Sequence, residues 1–254
     1  VSVSSGGTLA GLHDRLGRFV FGYRDWLAPL CGMLLLGFST PRPLLGDPRL
    51  DAWQDALGLA VCAVGQALRF AVIGFAYIKR GGTNKEIDAP SLVVEGFYAH
   101  SRNPMYVGNF LLLLGLAIIW NSTLGNLVVL PLMLLAIHAI VRAEERFLAG
   151  RFGAQYADYV RRVNRFLPSP RGLGRTMSSM GFEWKRALRK DYGTFFAWTS
   201  TAVVFMIAER LHWFGLQASR PAIVRLLVAW LGLLAAWAGA RWAKKTGRLA
   251  TVDD

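Results

Sequence analysis

The chain has 254 residues, 54% of them hydrophobic, and a formal net charge of +13. That apolar fraction, with a positive mean hydropathy, excludes an ordinary soluble domain and points to a polytopic membrane protein. The cations cluster in loops between apolar runs, so they are assigned to topology and anionic lipid headgroups, not to nucleic acid. Cys31 and Cys62 both lie in apolar segments, and no Cys/His spacing suggests a metal site or a disulfide framework. The N-terminus lacks the short apolar core and cleavage site of a removable signal peptide, and none is expected.

A spanning helix needs about 20 largely apolar residues, and six segments are candidates. The first, Trp26 to Phe38, is short and follows Arg24 and Asp25, so it either spans or lies at the interface. The second, Ala52 to Ile78, carries Gln66 and Arg69; Arg69 faces a partner or cavity, or else snorkels to the surface. The third, Pro104 to Trp120, and the fourth, Leu124 to Val141, are joined by Asn121, Ser122 and Thr123 and should form an antiparallel hairpin. On the fourth, Pro131 is expected to kink the helix and His138 to be a buried, hydrogen-bonded side chain. The fifth runs from Thr194 to Phe214 and the sixth from Pro221 to Trp242. The expectation is an all-α transmembrane bundle of five or six spans with a cytoplasmic amphipathic helical segment, "VRAEERFLAGRFGAQYADYVRRVNRFLPSP", ending at Pro168.

Most of the lysines and arginines fall on the side of the N-terminus, residues 79–104, residues 142–193 and the C-terminal tail. The positive-inside rule puts that side, with both termini, in the cytoplasm. The chain divides into an N-terminal segment (1–50), a core (51–170) and a linker with two C-terminal helices (171–254). "RGGTNKE", residues 80–86, reads as a flexible loop rather than a phosphate-binding motif.

Two polar clusters share one membrane side. In "HSRNPMYVGN", Asn103 suits an N-cap and Pro104 the first helical position, which needs no N–H donor. Tyr98, His100, Arg102 and Tyr106 surround that helix start, which would favour a carboxylate or phosphate. Gly108 and Gly115, seven apart, allow close helix packing or close ligand approach. The second cluster, Glu144 and Glu145 with Arg142 and Arg146, ends the fourth span. Because the two spans form a hairpin, "SRNPMY" and "RAEE" should be neighbours in space. Together they suit a zwitterionic ligand; the plainer alternative is ion pairing of the two acids with nearby arginines.

"LVVEGFYAHSRNPMYVG", about 35 residues, then "RAEERFLAGRFGAQYADYVRRVNRFLP" resembles the isoprenylcysteine carboxyl methyltransferase and phospholipid methyltransferase superfamily, across roughly residues 70–170. The resemblance implies an integral-membrane enzyme that moves a methyl group from S-adenosylmethionine to a lipid or prenyl-like acceptor at the cytoplasmic face. The family tyrosine is Tyr98, and its Arg-His-Pro-x-Tyr motif is Arg102, Asn103, Pro104, Met105 and Tyr106. The Glu-Glu pair is Glu144 and Glu145, followed by Phe152, Gly153, Tyr156 and Tyr159. These matches imply that Tyr98, Arg102, Asn103, Pro104, Met105, Tyr106 and Glu144 bind the cofactor. Arg142 would hold an anionic acceptor group, or Glu145 would take a proton from an amine or hydroxyl acceptor.

The chain departs from the family at Asn103, where the motif has histidine, and at Ile140, where the prenylcysteine enzymes have an arginine assigned to the carboxylate substrate. The last two spans lie outside the matched region and either shape a lipid entrance or mediate self-association. Two other functions compete. An NADPH-dependent sterol or steroid reductase shares an Arg-x-Pro-x-Tyr-x-Gly stretch, but a 2′-phosphate wants cations where this chain has acids. A non-catalytic lipid transporter or binding protein would need polar groups open to both sides.

Overall fold

The structure, a computed structural model, describes residues 22–23, 27, 29–75, 89 and 91–250. Among them are α1 (Pro29–Phe38), α2 (Asp51–Phe75), α3 (Pro104–Trp120), α4 (Leu130–Arg162), the short α5 (Leu173–Ser178) and α6 (Trp184–Lys245), and no strand. This is the expected all-α membrane bundle. The stretches Pro48–Phe75, Gly125–Arg162 and Trp184–Lys245 are long and apolar enough to cross a bilayer, while α1 and α3 are shorter apolar helices. Trp26 of the first expected span, residues 76–78 of the second and the loop at 80–86 lie outside the described residues.

At 62 residues α6 is far longer than one crossing requires, and it is two spans, not one. Gly215, at φ 69° and ψ 174°, breaks it into arms 184–214 and 216–245. The arms run back along each other: Trp230 Nε1 donates to Ser200 Oγ at 3.0 Å. The ring of Trp237 lies 5.3 Å from Phe196 and 6.5 Å from Tyr192. A Cβ on Gly215 would meet nothing within 4 Å, so backbone conformation alone calls for glycine there. Trp230 is thus an internal packing residue, whereas Trp242 is half exposed under the Arg248 guanidinium.

The α2–α3 pair is the tightest contact in the bundle, and four glycines make it so. A Cβ on Gly58 would lie 2.7 Å from the Gly115 carbonyl, and one on Gly115 would lie 2.5 Å from the Gly58 carbonyl. Gly65 and Gly108 interlock in the same way, at 2.8 and 2.9 Å. Each helix places its two glycines seven residues apart, so the two antiparallel backbones touch at two levels along one face. Gly108 and Gly115 therefore serve helix packing. At the far end of α3, Asn121 turns the chain at φ 32°, and Ser122 Oγ accepts from Gly125 N at 2.9 Å. Pro131, the residue expected to kink the helix, stands in the first turn of α4, just after a π-helical turn at Gly125–Val129, so it leaves the helix that follows unbroken as far as Gly153.

Within the bundle, Arg69 is 8% exposed and ion-paired with the fully buried Asp191 of α6. Gln66 Nε2 donates to Asp191 Oδ2 at 2.6 Å, and Trp198 Nε1 donates to Gln66 Oε1 at 2.9 Å. Arg69 also reaches Asn109 of α3 and Thr194 of α6. Of the two fates expected for Arg69, this is the partner, not the snorkel. A charge buried in hydrocarbon persists only when paired and hydrogen-bonded, and this one ties three helices together. His138 differs from expectation: it is half-buried and makes no hydrogen bond among the described residues.

Candidate active site

The start of α3 and the charged end of α4 meet, as a hairpin requires. Asn103 occupies the N-cap position and Pro104 the first helical one, but the Asn103 side chain makes no cap bond. Its amide instead donates to Glu145 Oε1 at 3.3 Å and to the Arg165 carbonyl at 3.2 Å. The same Glu145 oxygen takes Arg102 Nε at 3.1 Å, and the other takes Arg165 Nη2 at 2.7 Å. Glu145 is thus the hub of a half-buried polar knot. Glu144, one position earlier, accepts from the Tyr106 hydroxyl at 2.9 Å through Oε1.

The amphipathic segment contributes a fold-back that the helical reading missed. Gly153, at φ 49° and ψ −120°, kinks α4. A Cβ there would meet nothing within 4 Å, so the glycine serves the backbone angle and not the space. Beyond the kink Tyr156 and Tyr159 are 5% and 4% exposed, and Tyr159 OH donates to the Tyr98 carbonyl at 2.7 Å. Burial, with Glu145 adding to it, pushes the Tyr156 phenol up to about 12, so that ring remains a neutral hydrogen-bonding group.

The helix ends at Arg162 rather than at Pro168, because the next residues form a strap over the 98–103 segment. Val163 is extended; Arg102 N donates to the Asn164 carbonyl and Ser169 N to the His100 carbonyl, each at 2.9 Å. Arg102 Nη1 donates to the Val163 carbonyl at 2.8 Å, and Ser101 Oγ to that of Phe166 at 3.0 Å. Backbone that bonds across to another segment cannot also continue the helical ladder. His100 completes the strap's anchorage, with Nδ1 2.9 Å from the Ser169 carbonyl and Nε2 2.9 Å from Thr176 Oγ1 of α5.

The remaining expected residues divide by position. Tyr98 is buried and Met105 partly so, both packed with Val72 and Phe97, and Pro104 is buried. Arg142 is exposed and makes no side-chain hydrogen bond or ion pair among the described residues. Ile140 is 4% exposed and packs on Tyr106 and Val141, so that position is apolar core. Arg165 went unnoticed in the sequence; a cation at the end of a basic run gives no sign that it folds back onto an acid 20 residues earlier.

Comparison with known proteins identifies the family. The phospholipid methyltransferase family model matches residues 53–155, which hold nearly all of α2, all of α3 and the two acids. A cobalt-zinc-cadmium resistance protein, CzcN, of Cupriavidus metallidurans is 38% identical over 63% of this chain and 70% of its own. A protein-S-isoprenylcysteine O-methyltransferase of Schizosaccharomyces pombe is 31% identical over 58% of this chain and 68% of its own. The chain belongs to the isoprenylcysteine carboxyl methyltransferase and phospholipid methyltransferase superfamily. As a member it is a membrane methyltransferase, and nothing in these matches favours a reductase. The Tribolium castaneum protein-S-isoprenylcysteine O-methyltransferase is 34% identical, and there the match spans 46% of this chain and 42% of the relative. No solved structure matches the chain.

Proposed function

We propose that this methyltransferase takes its methyl group from S-adenosylmethionine and delivers it to a lipophilic acceptor, at the cytoplasmic membrane face. The observation that carries the reading is the junction of the two motif stretches, Tyr106 on Glu144 and Arg102 with Asn103 on Glu145. The residues suit a zwitterionic donor. Glu144 Oε2 accepts no hydrogen bond among the described residues and is available to an amino or hydroxyl group. At the start of α3, Tyr106 N and Val107 N bond the Asn103 carbonyl and Pro104 has no N–H, so the Met105 N–H is the first-turn donor left for a carboxylate. Tyr98, Pro104 and Met105 wall the site, and Arg102 and Asn103 hold its floor by way of Glu145. When bound, S-adenosylmethionine supplies a methyl group on a sulfonium, open to in-line displacement.

This chain's part is to position and desolvate. Glu145 already satisfies two arginines and an amide, so in this arrangement it braces the site rather than taking a proton. Arg142, exposed one residue beyond the apolar wall, is the cation placed to meet an acidic acceptor headgroup. With Ile140 packed in the core, an acceptor carboxylate would have no guanidinium at the position where the prenylcysteine enzymes have one. Amine, hydroxyl and carboxylate acceptors all fit this description. The charge bias of the loops supports the cytoplasmic assignment.

The test is transfer of labelled methyl from S-adenosylmethionine into an organic extract by the full chain in liposomes made from bacterial lipid. Label partitioning with lipid, and lost with Glu144→Gln, is the expected result. No label in any lipid fraction, from protein that binds S-adenosylmethionine, would overturn the lipid acceptor.

A further inference from the structure

The opposite end of the bundle holds a second cluster that methyl transfer does not use. Asp51 opens α2, Asp55 follows one turn later on the same face, and Glu209 comes from the first arm of α6. Their exposures are 1%, 2% and 0%, and one oxygen from each lies within 4.8 Å of the others. None of the six carboxylate oxygens has a hydrogen-bond partner among the described residues. Arg210, adjacent to Glu209 in sequence, is near enough to act electrostatically on all three but closes no ion pair with them among those residues. Gln54, the buried amide between them, is turned away: its Nε2 donates to the Ile119 carbonyl at 3.2 Å and its Oε1 accepts from Asn121 Nδ2 at 3.4 Å.

We propose that Asp51, Asp55 and Glu209 bind a divalent metal ion that clamps the start of α2 to the turn end of α6. Three unpartnered carboxylates buried together are costly, and a shared cation is the partner that satisfies all of them at once. Ligand oxygens sit about 2.0–2.2 Å from Mg²⁺, Mn²⁺ or Zn²⁺, so a three-oxygen shell needs mutual separations of roughly 4.4 Å or less. The observed spread needs only a slight contraction to reach that. An all-oxygen donor set selects Mn²⁺, Mg²⁺ or Ca²⁺ first, with Zn²⁺ tolerated. The sequence offered no Cys/His spacing, and the pairing of a helix-start Asp pair with a Glu more than 150 residues later exists only in the fold. About 30 Å of helix at the usual rise separates Asp51 from Val72, which packs against Tyr98 and Met105 of the donor site, so this site is independent of that site and of its reading.

The test uses tag-free full-length protein in detergent, stripped with chelator and titrated with Mn²⁺ followed by electron paramagnetic resonance. Zn²⁺ and Ca²⁺ serve as competitors, and thermal unfolding is followed in parallel. The expected result is about one Mn²⁺ per chain with a raised Tm, and an affinity lower by on the order of 100-fold in Glu209→Gln. Asp55→Asn, nearly isosteric, provides a second variant and should lose the metal-dependent rise in Tm while remaining monodisperse. No stoichiometric Mn²⁺, Zn²⁺ or Ca²⁺ binding by the wild type would overturn the site, as would unchanged binding in both variants. Variants that outlast the metal-free wild type on heating, with no metal effect on either, would show three protonated acids instead.

Discussion

At the scale of single residues, two adjacent acids that look interchangeable in the sequence have different partners. Glu145 is engaged by Arg102, Asn103 and Arg165, whereas Glu144 accepts only from Tyr106 among the described residues. Glu145→Gln should therefore cost about 2 kcal/mol of stability, by stranding two cations in a partly buried knot. Thermal unfolding and proteolysis of the 163–169 strap would register that loss, and an unchanged Tm with an unchanged strap would contradict the hub role. The pairing of the two stretches was legible, because a three-residue turn between two apolar runs brings their far ends to one level. Which acid took which partner was not legible. That depends on Arg165, whose approach needs the kink at Gly153 and a strap anchored to residues 100–102 about 60 residues earlier. Likewise Asn103 has the composition of a cap, and only the competing bonds to Glu145 and the Arg165 carbonyl reveal that its side chain points elsewhere.

At the scale of elements, glycine plays two different parts. Gly58, Gly65, Gly108 and Gly115 let α2 and α3 touch, while Gly153 and Gly215 supply backbone angles in open surroundings. Gly115→Val would drive its Cβ against the Gly58 carbonyl at 2.5 Å and Cys62 N at 2.9 Å, neither of which can move without parting the helices. A loss of about 3 kcal/mol or more is expected from such overpacking. Gly239→Ala, with nothing within 4 Å of its added Cβ, should leave stability near wild type. Equal melting temperatures for the two variants would refute the interlock. Spacing in α3 suggested one half of this contact, but its other half on α2 emerged only when the helices were seen antiparallel. The hairpin of α6 was legible as two apolar runs, though the break falls at Gly215 and not at the more conspicuous Pro221.

At the scale of the whole molecule, polar chemistry is distributed along the bundle in three tiers. The Glu144–Glu145 site lies at one end, the Arg69–Asp191 network lies within the bundle, and the Asp51–Asp55–Glu209 cluster lies at the other end. The helical bundle and the α3–α4 hairpin could be read from hydropathy because most apolar runs approach bilayer length, whereas α1 is short. The middle and far tiers could not, since each joins α2 to α6 across more than 100 residues. The central claim is that the first tier is a donor site for S-adenosylmethionine. The most direct test is calorimetric titration of the detergent-purified chain with S-adenosylmethionine and with NADPH, beside Glu144→Gln. Micromolar binding of S-adenosylmethionine, greatly weakened in the variant and absent for NADPH, is the predicted result. Equal affinity in Glu144→Gln, or binding of NADPH alone, would contradict it.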